Sequence, residues 1–169
     1  MMDKYNLVNK IITTDPFKFT ENDEALLGIG KRMDEYEIYI KKQFITNMEF
    51  WSKKFEIFSF DLDSNSFFRR WELNEKSISM FGNHINMGGQ ISFVFIDGDH
   101  SYEQTLKDFI NVDKYLQKNG LIIFDDSGKY HEDAIGGKNG VYKVVKECIQ
   151  TKRYKVLHEN PNFLVQKIN

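Results

Sequence analysis

The chain has 169 residues, of which 41% are hydrophobic and 15% aromatic, and its formal net charge is −2. This length and composition predict one globular domain over residues 1–169 and exclude a disordered chain. The near-neutral charge argues against a nucleic-acid surface, because basic residues supply most of the affinity for phosphate backbones.

The single cysteine, Cys148, excludes an intrachain disulfide and fits a reducing compartment. It lies in VYKVVKECI, a predicted helix, where we expect a buried and inert thiol. The first residues, MMDKYNLVNK, lack the apolar stretch of a signal peptide, and the apolar runs are shorter than the roughly 20 residues that span a bilayer. We therefore expect a cytoplasmic protein with neither a membrane nor a nucleic-acid partner. The oligomeric state is left open, and a homo-oligomer is one option.

Short apolar runs alternate with helical patterns along the first half of the chain. Residues 1–22 are predicted to be an N-terminal extension or a segment on the substrate side. ALLGIG, residues 25–30, is a short candidate strand, and YEIYIKKQFITNMEFWSKKF carries apolar residues at helical spacing. FEIFSFDLD, residues 55–63, is predicted to be a strand that ends in acids, and SISMFGN, residues 77–83, a weaker strand.

The second half continues the alternation with stronger signals. ISFVFID is apolar on both faces, as in a parallel strand covered by helices, and LIIFDD is a second buried strand. The helix between them is predicted to begin at Ser101 and to stop at Asn119-Gly120. NGVYKVVKECIQ is another helix, and the tail is predicted to be a hairpin through Asn160-Pro161-Asn162. These elements predict an α/β fold with a mostly parallel sheet and one antiparallel strand from the closing hairpin.

Pairs of carboxylates follow two successive buried strands. Asp97 and Asp99 end the first strand, and Asp125 and Asp126 end the second. Ligands of open α/β sheets bind at the carboxyl ends of strands, where crowded acids call for a divalent cation. An all-oxygen cluster suits Mg²⁺, Ca²⁺ or Mn²⁺ rather than zinc. Gly98 is expected to let the backbone turn sharply between the acids. The alternative is that these acids cap helices or face solvent.

His100 directly follows the first pair of acids. It is a candidate general base, a candidate metal ligand, or a helix-start residue that is hydrogen-bonded to the backbone. The loop SGKYHEDAIGGKNG, which contains His131, follows the second pair. Its glycines would permit the motion of a lid or substrate loop, and a solvated surface loop is the alternative.

The stretches IDGDHSYEQTLKDF and LQKNGLIIFDDS resemble the centre of class I S-adenosylmethionine-dependent methyltransferases. Within that class they are most similar to metal-dependent sugar and macrolide-sugar O-methyltransferases of the macrocin type. The matching residues are Asp97-Gly98-Asp99, Tyr102, Asn119-Gly120 and Asp125-Asp126. The resemblance implies a Rossmann-like three-layer sandwich with strand order 3-2-1-4-5-7-6. It also implies methyl transfer from S-adenosylmethionine, assisted by Mg²⁺ or a similar cation, to a sugar or another small hydroxylated acceptor.

The resemblance also implies a role for individual side chains. Asp97, Asp125 and Asp126 would ligate the cation. Asp99 would be the general base, with His100 as its competitor. The implied cofactor-binding residues are Gly28, Gly30, Asp61, Asn83 and Asp97, with Asp63 as the second choice for the acid that holds the ribose.

The chain departs from this family at the first strand. The family pattern is broadly E-x-G-x-x-x-G, whereas LLGIGKR has Gly28 where the acid belongs and keeps Gly30 as the key glycine. A second hypothesis is therefore a binding or scaffold module with a methyltransferase fold and a decayed cofactor site. A third, another nucleotide-binding activity on a Rossmann-like fold, is disfavoured because neither G-x-G-x-x-G nor G-x-x-x-x-G-K-[ST] occurs.

Overall fold

The computed structural model describes residues 10–18, 33–52, 55–128 and 140–169. The contacts within the chain separate two compact units, Met1–Gly88 and Gly89–Asn169, and each unit is described by itself. The single domain over residues 1–169 stays a prediction.

The first unit contains two small two-stranded sheets. Its described elements are β1 (Ile11–Thr14), α1 (Met33–Ser52), β2 (Ile57–Phe60), α2 (Ser64–Glu72), β3 (Lys76–Ile78) and β4 (His84–Asn86). β1 pairs with β2 in parallel, and β3 pairs with β4 in an antiparallel hairpin. The helix and the strand expected between residues 36 and 63 are confirmed, whereas β1 lies in a segment where no strand was expected.

The prediction of one strand over residues 77–83 is wrong. β3 ends at Ile78, and the chain turns back through Gly82, whose φ of +78° lies in the left-handed region that glycine tolerates. The turn is closed by Asn83, whose backbone N–H donates to the Ser79 hydroxyl at 3.1 Å. Met80 N–H donates to the Ser59 carbonyl at 2.8 Å, which fastens the turn to β2.

Aromatic packing holds α2 against the strand that precedes it. Asp63 caps the helix by accepting hydrogen bonds from the Ser66 N–H at 2.9 Å and from the Ser66 hydroxyl at 2.6 Å. The helix then buries Phe67 and Trp71. The ring centroids of Phe60 and Phe67 are 5.9 Å apart, a separation at which aromatic pairs attract.

The second unit is built on a four-stranded mixed sheet of order β5-β6-β8-β7. Its elements are β5 (Ile91–Ile96), α3 (Tyr102–Tyr115), β6 (Leu116–Phe124), α4 (Val141–Gln150), β7 (Tyr154–His158) and β8 (Phe163–Lys167). β5 and β6 are parallel, and β8 runs antiparallel to both β6 and β7. This arrangement coincides with the last four positions of the expected strand order, and the complete order stays a prediction.

α3 ends earlier than predicted. The expected stop was Asn119-Gly120, but the helix ends at Tyr115, and Leu116 is already in β6 opposite Ile91. Leu116 is 4% exposed. The extended backbone at this residue therefore buries an apolar side chain in the sheet, which favours the early end of the helix. Asn119 adopts a left-handed φ of 64° within the strand, where the register between β5 and β6 shifts.

A cluster of ionic hydrogen bonds fastens the end of α3 to the closing hairpin. The Asp113 carboxylate accepts two bonds from the Arg153 guanidinium at 2.8 and 2.9 Å and one from the Tyr154 hydroxyl at 2.6 Å. Lys167 Nζ lies 3.0 Å from Asp113 Oδ1 and donates a hydrogen bond to the Leu116 carbonyl at 3.1 Å. Burial alone would raise the pKa of Asp113, but these hydrogen bonds outweigh it and lower the pKa below its usual value.

The core of the second unit lies between the central strands and the helices. Ile122, Phe124 and Val165 of the sheet and Val144 of α4 are fully buried. The expected burial of Cys148 is confirmed at 1% exposure, and burial raises the pKa of its thiol to about 12. Within the ranges that the structure describes, no helix combines the length and apolar character needed to cross a membrane.

Candidate metal centre

The carboxyl ends of β5 and β6 meet at one edge of the second unit's sheet. The two strands are parallel, and Asp125 N–H donates to the Ile96 carbonyl at 2.9 Å, directly before Asp97. One ligand atom from each of Asp97, His100 and Asp125 lies within 4.8 Å of the other two. The expected convergence of acids from two strand ends is therefore observed for Asp97 and Asp125.

The carboxyl groups of Asp97 and Asp125 lie close together, with an oxygen of each within 4.8 Å of the other. Partial burial raises the pKa of Asp97, and the neighbouring Asp125 charge raises it further. Two carboxylate anions at that separation repel each other. A cation bound between them would relieve that repulsion.

His100 brings a nitrogen donor to the same place. Its Nε2 is buried without a hydrogen-bond partner and lies 3.9 Å from Asp97 Oδ1. Its Nδ1 lies 3.6 Å from Asp126 Oδ2. An orphaned buried nitrogen is costly unless a ligand satisfies it. Two carboxylates and an imidazole nitrogen form a donor set that fits a divalent cation.

Asp99 and Asp126 occupy different positions from the three clustered residues. Asp99 Oδ1 accepts the Ser101 N–H at 2.7 Å, and its carbonyl accepts the Thr105 hydroxyl at 3.2 Å, so Asp99 shapes the start of α3. Asp126 follows in the turn after β6 with a left-handed φ of 46°. The roles of Asp99 as base and of Asp126 as ligand stay predictions.

The chain bends at Gly98, as expected, but this bend does not require a glycine. Its φ lies outside the left-handed region, and a Cβ added there would meet only Asp108 Oδ2, at an ordinary 3.6 Å. The backbone between the two acids would therefore accept a side chain.

A hydrogen bond from the closing hairpin fixes the turn that contains Asp125; we call it the first tether. Asn162 Nδ2 donates to Asp125 Oδ1 at 2.7 Å. Next to it, the buried Ser127 hydroxyl donates to the Phe124 carbonyl at 2.6 Å and accepts the Phe163 N–H at 2.7 Å. Sequence reasoning missed Asn162, because no local pattern links it to an acid 37 positions away.

A backbone hydrogen bond from the start of α4 fixes the loop that contains His100; this is the second tether. Gly140 N–H donates to the His100 carbonyl at 2.7 Å, and a Cβ at Gly140 would lie 2.1 Å from Tyr102 N. The Tyr102 hydroxyl donates to Glu147 Oε2 at 2.8 Å, which raises the pKa of Tyr102. Lys143 Nζ lies 4.3 Å from the centroid of the Tyr102 ring. The loop that carries His100 is thus fixed by contacts that only a glycine at position 140 allows.

The cofactor-binding residues expected in the first unit are only partly described. Gly28 and Gly30, and residues 129–139 of the His131 loop in the second unit, lie outside the described residues. Asp61 forms an ion pair with Lys41 of α1. Asn83 Nδ2 donates to the Ile57 carbonyl at 3.2 Å.

Asp63, the second choice for the ribose-binding acid, has a structural role as the cap of α2. Its hydrogen bonds with Ser66 lower its pKa. Such a cap is a recurrent use of aspartate before a helix.

The structure adds one acid that the sequence analysis overlooked. Asp15 directly follows β1, and its N–H donates to the Phe60 carbonyl at 3.1 Å. Thr14 is opposite Phe60 in the parallel register, so Asp15 and Asp61 both follow the carboxyl ends of paired strands. The signal was present in ITTDP, an acid after a short β-branched run, but four residues are too few to show a clear period.

Comparison with known proteins gives three findings. A family model described as a methyltransferase domain matches residues 2–127. The crystal structure of an O-methyltransferase from Bacillus cereus in complex with SAH matches with a TM-score of 0.53 and 13% identity, covering 95% of this chain and 74% of that chain. An uncharacterized protein of Acanthamoeba polyphaga mimivirus, R132, is 48% identical over 40 residues, which are 24% of this chain and 18% of that protein. The chain thus matches less than a fifth of the length of R132.

Proposed function

This chain belongs to the methyltransferase-domain family, and we propose that it is an S-adenosylmethionine-dependent O-methyltransferase. The resemblance to class I methyltransferases is confirmed at the level of the family and of the fold. The observation that carries the proposal further is the cluster of Asp97, His100 and Asp125 at the ends of two parallel strands. The sugar-like acceptor, the cation and the complete strand order are parts of the proposal.

S-adenosylmethionine is the proposed methyl donor. Asp61 remains the proposed partner of its ribose, and Asp15, which follows the strand paired with β2, is a further candidate. Asn83, Gly28 and Gly30 keep the roles that the family resemblance implies. The SAH bound to the Bacillus cereus relative supports the choice of cofactor.

The acceptor hydroxyl needs activation, because an alcohol is a poor nucleophile at neutral pH. A divalent cation such as Mg²⁺, when bound, lowers the pKa of a hydroxyl that it contacts. Asp97 and Asp125 would hold that charge, with Asp126 or His100 as a third donor. Asp99 is the proposed acceptor of the hydroxyl proton, with His100 as its competitor, and a positioned base typically contributes about 10²- to 10⁴-fold.

Calorimetric titration with S-adenosylhomocysteine tests the proposal. We expect saturable binding to the full chain, and transfer of label from methyl-labelled S-adenosylmethionine to a set of hexoses and catechols that stops when EDTA is added. Binding with transfer that is unaffected by EDTA would refute the cation. Absence of any binding would refute the methyltransferase and support the decayed module instead.

A further inference from the structure

We propose that His100 Nε2 is the third protein ligand of the cation centre and that Asp126 acts behind it, orienting the imidazole. The inference rests on the proposed function, because it concerns the same centre. It changes the predicted ligand set from three carboxylates to two carboxylates and one imidazole. It therefore also changes which cation the centre should prefer.

The position of Nε2 is the first argument. The atom is buried and has no hydrogen-bond partner, although its ring lies among carboxylates. Its 3.9 Å separation from Asp97 Oδ1 is too long for a hydrogen bond. Two donors on one cation, each about 2.1 Å from it, stand about 3 to 4 Å apart. The separation from Asp97 thus suits two ligands of one ion better than a direct contact.

The position of Asp126 is the second argument. Its Oδ2 lies 3.6 Å from Nδ1, the ring nitrogen that Nε2 ligation would leave to carry a proton. Metal-bound histidines almost always donate their other N–H to a carboxylate, a carbonyl or water, which fixes the ring and its tautomer. In the ranges described, the mutually close donors are Asp97, His100 and Asp125, and Asp126 is not among them.

The backbone supports this assignment. Gly140 N–H donates to the His100 carbonyl at 2.7 Å, so the loop that bears the imidazole is held from α4. Ligation of Nε2 would occupy the lone pair that a general base needs. Asp99 would then be the residue left to accept the proton of the acceptor hydroxyl.

The donor set determines the preferred cation. Imidazole suits transition metals, whereas Mg²⁺ and Ca²⁺ prefer oxygen ligands alone. We expect Mn²⁺ to bind on the order of tenfold or more tightly than Mg²⁺, and we expect His100→Gln to remove most of that preference.

Pulsed electron paramagnetic resonance of the full chain loaded with Mn²⁺ tests the ligand set directly. The expected spectrum shows nitrogen coupling to the metal in the wild type and in His158→Gln, a control at an exposed histidine of β7. His100→Gln should lose the coupling and bind Mn²⁺ about 10- to 100-fold more weakly. Asp126→Asn should keep the coupling, with affinity lowered about 10- to 100-fold as for an outer partner of a ligand.

The outcomes separate this inference from the proposed function. Bound Mn²⁺ without nitrogen coupling in the wild type would overturn the histidine ligand and leave the methyltransferase proposal standing. Unchanged Mn²⁺ affinity in His100→Gln together with lost binding in Asp126→Asn would return the third position to Asp126. No Mn²⁺ binding by a chain that still binds S-adenosylhomocysteine would overturn both the ligand and the cation. Circular dichroism of each variant shows that it is folded.

Discussion

Replacing Asp125 by asparagine should stabilise the metal-free protein while it destroys the cation centre. Oxygens of the Asp97 and Asp125 carboxyl groups lie within 4.8 Å of each other, and partial burial and the Asp125 charge raise the pKa of Asp97. Asparagine has nearly the same shape as aspartate. Its side-chain oxygen can still accept the hydrogen bond that Asn162 Nδ2 donates to Asp125 Oδ1 at 2.7 Å in the wild type. It removes one of the two negative charges that repel each other, and it offers an amide N–H to Asp97.

The size of the gain follows from the separation and exposure of the two groups. Unit charges about 4 Å apart interact by about 1 kcal/mol in water and about 4 kcal/mol at the effective dielectric of a protein surface. Asp97 is 52% exposed, so solvent screening favours the lower value. We expect a gain of about 1 kcal/mol in the free energy of unfolding, or about 2 to 4 °C in Tm for a chain of this size.

The gain should depend on pH in a defined direction. A carboxyl group whose pKa is raised in the folded state destabilises that state as the pH rises above its unfolded value of about 3.9. Asp125→Asn should therefore stabilise the protein at pH 7, and the difference should shrink as the pH falls toward 4. Thermal unfolding with EDTA at several pH values measures this difference.

The matched control removes a charge from elsewhere in the same unit. Glu159 is exposed beyond the end of β7, and Glu159→Gln should leave Tm within about 1 °C. Added Mn²⁺ should raise the Tm of the wild type and of this control, but not of Asp125→Asn. A lower Tm for Asp125→Asn in EDTA at pH 7 would show that the two acids do not oppose each other, and the reasoning would fail.

Three further predictions concern the supports of the site and of the fold. Asn162→Ala should weaken Mn²⁺ binding about 10- to 100-fold in calorimetry, whereas Asn160→Ala in the same turn should not; equal affinities would show that the tether has no role. Gly140→Ala should lower the free energy of unfolding by about 1 to 3 kcal/mol or more, because its Cβ would lie 2.1 Å from backbone, whereas Gly98→Ala should be nearly neutral in the same urea titration. A tolerated Gly140→Ala would contradict the close packing. Asp113→Asn should cost about 2 to 4 kcal/mol at pH 7. Since the pKa of Asp113 is lowered on folding, that cost should fade in acid as the pH drops through the folded pKa, and a cost independent of pH would disprove the ionic explanation.

Most of the second unit was predictable from sequence because its signals are long, but the expected burial of β5 on both faces is wrong, since Phe93 is 52% and Phe95 50% exposed. β5 and β6 are apolar runs that end in acids, and the strand–helix–strand order makes such strands parallel. Their carboxyl ends therefore had to meet, which is why Asp97 and Asp125 could be paired without coordinates. The hairpin of β7 and β8 was equally clear from Asn160-Pro161-Asn162 between two β-rich runs.

The first unit was harder to predict because its strands are short. β1 has four residues and β3 has three, too few for any period to stand out.

The end of α3, in the second unit, was misplaced for a different reason. Asn119-Gly120 is a common helix stop, but the helix ends earlier because Leu116 is buried as part of β6.

Side-chain direction within the site could not be predicted at all. Asp99, His100 and Asp126 all lie in short loops after strands, where one peptide rotation decides which group faces the cluster. The tethers from Asn162 and Gly140 depend on contacts across the fold, so no local pattern could have shown them.

Anomalous diffraction from crystals soaked in MnCl₂ tests the central claim most directly. One manganese peak within about 2.3 Å of carboxylate oxygens from both Asp97 and Asp125 is the predicted result. Crystals that stay ordered in millimolar MnCl₂ but show no peak between these two residues would contradict the account.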